Sequence, residues 1–66
     1  MRDINGEEFL VGDSLKVIKW AQCGAEDLEV GDVVECVYND YTSVCEFRLL
    51  STKQRFYYYN DHLQKL

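Results

Sequence analysis

One phrase occurs twice in this chain, and it constrains the fold more than any other feature. Phe9-Leu10-Val11-Gly12-Asp13 leads into Ser14-Leu15-Lys16-Val17-Ile18-Lys19-Trp20. Nineteen residues later, Leu28-Glu29-Val30-Gly31-Asp32 leads into Val33-Val34-Glu35-Cys36-Val37-Tyr38. In each copy a Gly-Asp turn launches a run rich in β-branched residues, whose side chains pack well on a pleated surface. Two copies at so short a period are too few for a solenoid, so they read as two strand starts in one small sheet. Proline is absent, and the four glycines, at 6, 12, 24 and 31, punctuate turns. A helix across residues 15 to 38 fails, because Gly24 and Gly31-Asp32 interrupt it and Val, Ile and Tyr disfavour it.

Alternation of apolar and polar residues places the other elements. Strand one is predicted near Leu15 to Trp20, with Leu15 and Val17 inward and Lys16 outward. Its period slips at Ile18 and Trp20, which predicts a bulge or burial on both sides. Strand two, Val33 to Tyr38, puts Val34, Cys36 and Tyr38 on one face, and Asn39-Asp40-Tyr41-Thr42 is a turn. Strand three, Ser43 to Leu50, turns Cys45, Phe47 and Leu49 inward and Glu46 and Arg48 outward. A polar connection then leads to strand four, Phe56 to Tyr59. The tail from Asn60 to Leu66 is too short for a stable helix and predicts one tight turn followed by a terminal strand. Asn5-Gly6, between Ile4 and Phe9, is a hairpin signal that asks for positive φ at both central residues, and Ile4 and Phe9 then cover one end of the core.

Sixty-six residues make one domain, 1–66, burying only about 60% of the surface the unfolded chain exposes. The expectation is an all-β fold of about five short strands. Edges are a liability at this size, so closure into a small barrel is the economical solution.

The order of features resembles an SH3-like small barrel. Gly12-Asp13 and Gly31-Asp32 stand at two strand starts separated by a long loop, and Asn60-Asp61-His62 stands where such barrels place a single helical turn before the last strand. Tyr57-Tyr58-Tyr59 followed by Asp61-His62-Leu63, in a small acidic chain, is also similar to short proteins encoded by tailed bacteriophages. The resemblance implies a host protein as the target and the host cytoplasm as the setting. No Ala-Leu-Tyr-Asp-Tyr stretch or proline-bearing segment is present, so recognition of proline-rich peptides is not carried over.

Charge and chemistry narrow the function. The net charge of −5 opposes the basic footprint that phosphate binding needs. Carboxylates are spread among apolar residues rather than gathered on one dense face, which argues against a DNA mimic. Three cysteines, Cys23, Cys36 and Cys45, with no secretory leader in front of them, predict reduced thiols in a cytoplasmic protein. Their gaps of 12 and 8 residues lack metal-ligand spacing, and His62 is the only imidazole, so neither metal nor cofactor is expected. No nucleophile context, glycine-rich phosphate loop or pocketed carboxylate pair stands out, so no enzyme is expected. No apolar run is long enough to span a membrane.

Aromatic residues are the informative surplus. Trp20, Tyr38, Tyr41, Phe47, Phe56, Tyr57, Tyr58 and Tyr59 crowd a chain whose core holds only a few large rings. Alternation sends either Phe56 and Tyr58 or Tyr57 and Tyr59 outward. The expected partner site is Trp20, Tyr41, Tyr57 and Tyr59, with Asp40 and Asp61 attracting a basic protein. The function expected is that of a protein-interaction module. The alternative is a nucleic acid-binding or nucleoprotein accessory barrel, stacking bases on Tyr57 or Tyr59 with Arg48, Lys53 and Arg55 on phosphates. A third reading is a homodimer formed through edge residues such as Val33 and Val37.

Overall fold

A computed structural model describes residues 1–39 and 44–66; Asp40, Tyr41, Thr42 and Ser43 lie outside the described residues. The fold is all-β. Strands β1 (Ser14–Val17), β2 (Val33–Asn39), β3 (Val44–Leu49), β4 (Arg55–Tyr59) and β5 (Leu63–Lys65) form one antiparallel sheet in the order β4-β3-β2-β1-β5. A 3₁₀ turn, Asn60–His62, separates β4 from β5. The tight turn and terminal strand expected of the tail are therefore present.

The repeated phrase has a shared geometry. At Leu10-Val11-Gly12-Asp13 the Asp13 N–H donates to the Leu10 carbonyl at 3.0 Å, and the Asp13 carboxylate accepts the Leu10 N–H at 2.9 Å. Asp32 does the same with Glu29, at 3.1 and 2.9 Å. Gly12 and Gly31 take φ of 98° and 100°, the positive value a type II turn needs at its third residue. Leu15 pairs with Val34, the same nineteen-residue offset as the repeat, so β1 and β2 are related by a local two-fold axis. Each turn consequently docks on the other strand: Gly12 N–H reaches the Cys36 carbonyl, and Gly31 N–H the Val17 carbonyl, both at 2.8 Å.

The core forms on one face of this sheet. Leu15, Val17, Val34, Cys36, Cys45, Phe47, Leu49, Phe56, Tyr58 and Leu63 are buried, joined by Phe9, Ala25 and Leu28 from the connections. Phe9, Phe47, Phe56 and Tyr58 follow one another ring to ring, at centroid separations of 6.2, 6.3 and 5.8 Å. The inward residues of strand three are those alternation assigned, and on strand four, where alternation left two choices, Phe56 and Tyr58 turn inward.

Four expectations are corrected. The sheet does not close, because the outer edge of β5 is already occupied by the amino-terminal segment: Ile4 N–H donates to the Leu63 carbonyl at 2.8 Å, and Lys65 N–H to the Asp3 carboxylate at 2.7 Å. Strand one ends at Val17 rather than Trp20, since Ile18 and Lys19 both turn their N–H groups to the His62 carbonyl. Tyr38 leaves the Val34–Cys36 face because the register slips between Cys36 and Tyr38, a bulge that turns the ring outward. In the first turn only Gly6 has positive φ, because the Asp3 carboxylate takes the N–H groups of Asn5 and Glu7 and sets a wider turn.

Candidate interaction surface

β4 sets the site. Its pattern is a strict alternation, with Phe56 and Tyr58 in the core and Arg55, Tyr57 and Tyr59 exposed. Tyr57 is 60% and Tyr59 47% exposed, so this strand does turn one pair of rings outward. Across the sheet Tyr57 faces Glu46, and Glu46 faces Tyr38, which is 53% exposed. The next row holds Glu35, Arg48 and Arg55. Arg48 Nη2 donates to Glu35 Oε1 at 2.6 Å, and Arg55 Nε to Glu46 Oε2 at 3.0 Å. The outer face of β2, β3 and β4 is thus a ladder of neutralised ion pairs flanked by tyrosines.

Trp20 lies on a separate element that β4 holds in place. The buried Tyr58 hydroxyl donates to the Lys19 carbonyl at 2.6 Å and accepts the Ala21 N–H at 2.8 Å. Burial pushes the pKa of that hydroxyl up, and the Ala21 hydrogen bond opposes the shift. Trp20, between these anchors, is 60% exposed. The same end of the sheet carries the 3₁₀ turn, where the Tyr59 and His62 rings lie 5.2 Å apart. Asp61 Oδ1 is 2.7 Å from His62 Nδ1, and its side chain is largely in solvent.

Of the expected site, the structure gathers Tyr59 and Asp61 at one end of β4 and places Tyr57 two residues along the same face. Trp20 is tied to β4 through the inward-facing Tyr58, on the side of the strand opposite Tyr57 and Tyr59, and is not gathered with them. Tyr41 and Asp40 lie outside the described residues. Tyr38 was missed, and the signal that could have found it is its neighbour: Val37 and Tyr38 are consecutive large apolar residues where alternation allows only one inward. Compared with protein-family models, curated proteins and solved structures, the chain matches none.

Among the described residues no three His, Cys, Asp or Glu side chains are grouped to hold a metal ion. Cys36 and Cys45 are buried and neighbour each other, while Cys23 is half-buried with its Sγ 3.7 Å from the Ala25 carbonyl. Burial and the neighbouring Cys45 push the Cys36 pKa up to about 11, so this thiol stays protonated at neutral pH. Among the described residues no helix is long and apolar enough to cross a membrane.

Proposed function

We propose that this protein has an SH3-like fold whose sheet stays open between β4 and β5, and that it acts as a protein-interaction module, of the phage-encoded kind, that binds and modulates a host protein in the host cytoplasm. The SH3-like reading is supported by connectivity: a long loop between β1 and β2, a meander through β2, β3 and β4, and one helical turn before β5. The interaction reading is carried by one observation, the outward tyrosines of β4 beside Tyr38 in a chain of this size. Tyr and Trp rings supply large, rigid contact area at low entropic cost, which is why interfaces favour them. The mechanism is occupancy. Rings supply the affinity, and the exposed carboxylate of Asp61, within a net charge of −5, steers a basic surface toward them.

The nucleic-acid reading sets Arg48, Lys53 and Arg55 on phosphates. Arg48 and Arg55 instead face Glu35 and Glu46, which favours the protein reading. Retention on heparin and binding of a labelled single-stranded oligonucleotide, measured from about 50 to 200 mM salt, separate the two. The protein reading expects neither at any salt, together with a host protein captured by the native chain and lost with Tyr57→Ser and Trp20→Ser. Oligonucleotide binding that falls steeply with salt overturns it.

A further inference from the structure

The two edges of this sheet are treated differently. On β5 the edge-facing groups of Leu63 and Lys65 are satisfied by Ile4 and Asp3. On β4 the Leu49 N–H donates to the Gln54 carbonyl, and the pairing runs on through Phe47 with Phe56 and Cys45 with Tyr58. Antiparallel pairs alternate between bonded and non-bonded, so Arg55, Tyr57 and Tyr59 point their backbone groups away from β3. Among the described residues no loop supplies partners for the Arg55 and Tyr57 backbone groups or for the Tyr59 N–H. The loop after β1 reaches this region through side chains alone, at the Tyr58 hydroxyl and at Gln54 Nε2, which donates to the Gly24 carbonyl at 2.9 Å. Of the usual protections of a free edge β4 has neither proline nor bulge, and its one charge, Arg55, is paired with Glu46.

We propose that a second copy of this chain pairs with the free edge of β4, antiparallel and two-fold about Tyr57, joining two sheets into one. The occupant follows from the self-complementarity of the edge, which has an exposed cation, Arg55, at one end and an exposed ring, Tyr59, at the other. The edge-facing residues are Arg55, Tyr57 and Tyr59, evenly spaced about the middle one. Tyr57 then exchanges both backbone bonds with its own copy, and the Tyr59 N–H reaches the Arg55 carbonyl on each side. The Arg55 guanidinium comes to lie opposite the exposed Tyr59 ring of the other copy, a cation–π pairing repeated by the symmetry. Arg55 is already neutralised by Glu46, so the approach of two acidic chains brings no unpaired charge to the seam. The edges expected from sequence, Val33 and Val37, cannot serve, because β2 is paired on both sides. This inference concerns the backbone edge of β4, and the pairing also draws on the Tyr57 and Tyr59 side chains of the proposed docking face.

A single five-residue edge makes a small interface, below about 1,200 Å², and such contacts associate weakly. Sedimentation of the full chain from about 10 μM to 1 mM is expected to show the mean mass rising from one chain toward two. Tyr57→Lys, placing a charge on the axis, is expected to weaken association at least about tenfold while the variant stays folded. Should that variant unfold, cross-linking decides. In a Cys23→Ser background, Tyr57→Cys is expected to form a disulfide dimer under mild oxidation, because facing residues of a bonded pair meet disulfide geometry. Arg55→Cys is not expected to, since it lies opposite Tyr59. A native chain that stays monomeric across the range, or equal cross-linking at 55 and 57, overturns the proposal. A monomer that takes an added extended peptide on this edge overturns the choice of occupant.

Discussion

The Tyr58 hydroxyl donates to the Lys19 carbonyl at 2.6 Å and accepts the Ala21 N–H at 2.8 Å, so one ring on β4 holds both sides of the bend that carries Trp20. A core residue thereby positions a surface residue 38 places earlier in the chain. Tyr58→Phe keeps the ring and removes both bonds, leaving the Ala21 N–H without its partner. A loss of about 1–3 kcal/mol in denaturant unfolding is expected. Amide exchange at Ala21 is expected to accelerate, and unchanged exchange there would show that the anchor does not hold the bend.

Asp3 presents an acid-sensitive contact at the other end of the sheet. Its carboxylate is buried and accepts N–H groups from Asn5, Glu7 and Lys65 at 2.9, 2.8 and 2.7 Å. Burial pushes its pKa up, but the hydrogen bonds from Lys65, Glu7 and Asn5 outweigh it and hold the carboxyl below its usual range. A depressed folded pKa means the stabilisation is complete above the unfolded value, about 3.9, and is lost as pH falls through the lower folded value. The native chain should lose stability below about pH 4, measured by urea midpoints. Asp3→Asn should cost about 2 kcal/mol at pH 7 and flatten that acid limb.

Gly12 and Gly31 occupy equivalent places about the local two-fold axis, both at strongly positive φ with open space where a Cβ would go. The cost of a side chain is therefore conformational rather than steric crowding. Gly12→Ala and Gly31→Ala should each destabilise by about 1–2 kcal/mol. Gly24, which has no positive φ, should accept alanine within about 0.5 kcal/mol. Unequal effects at 12 and 31 would contradict their equivalence.

Thiol reactivity reports on burial. Cys36 and Cys45 are buried and Cys23 is half-buried, so a disulfide reagent at pH 8 should modify Cys23 first. The other two should react only through unfolding, where both thiols regain ordinary pKa values, and so at similar and much slower rates. Rapid modification of all three in the native state would mean the strand core opens locally.

The exposed rings should be dispensable for folding. Tyr57→Ser and Trp20→Ser should change stability by less than about 0.5–1 kcal/mol, whereas Phe47→Ala should cost about 3–5 kcal/mol. Thermal unfolding of the three variants gives the comparison. Large losses at Tyr57 would mark it as structural and weaken the case for a docking face.

Much of the fold was legible in local pattern. The two Val-Gly-Asp phrases became identical turns, strand three kept the faces that alternation assigned, and the tail became one turn and a short strand. The same period required one pair of rings on strand four to face outward, and the structure selects Tyr57 and Tyr59. Tyr38 did not follow, because a one-residue bulge inverts every assignment after it. Strand one likewise ended early because the His62 carbonyl, 44 positions beyond Ile18, drew its backbone out of line.

The amino-acid order alone determined what depends on a few neighbouring residues: turn conformations, strand faces and the count of rings too many for the core. Tertiary structure decided which edge is covered, since Asp3 and Lys65, at opposite ends of the chain, meet only when the sheet forms. It also decided where Trp20 stands and which tyrosine turns at the bulge. Those outcomes rest on hydrogen bonds between distant residues, whose partners are chosen by geometry in space and leave no periodic trace in the sequence.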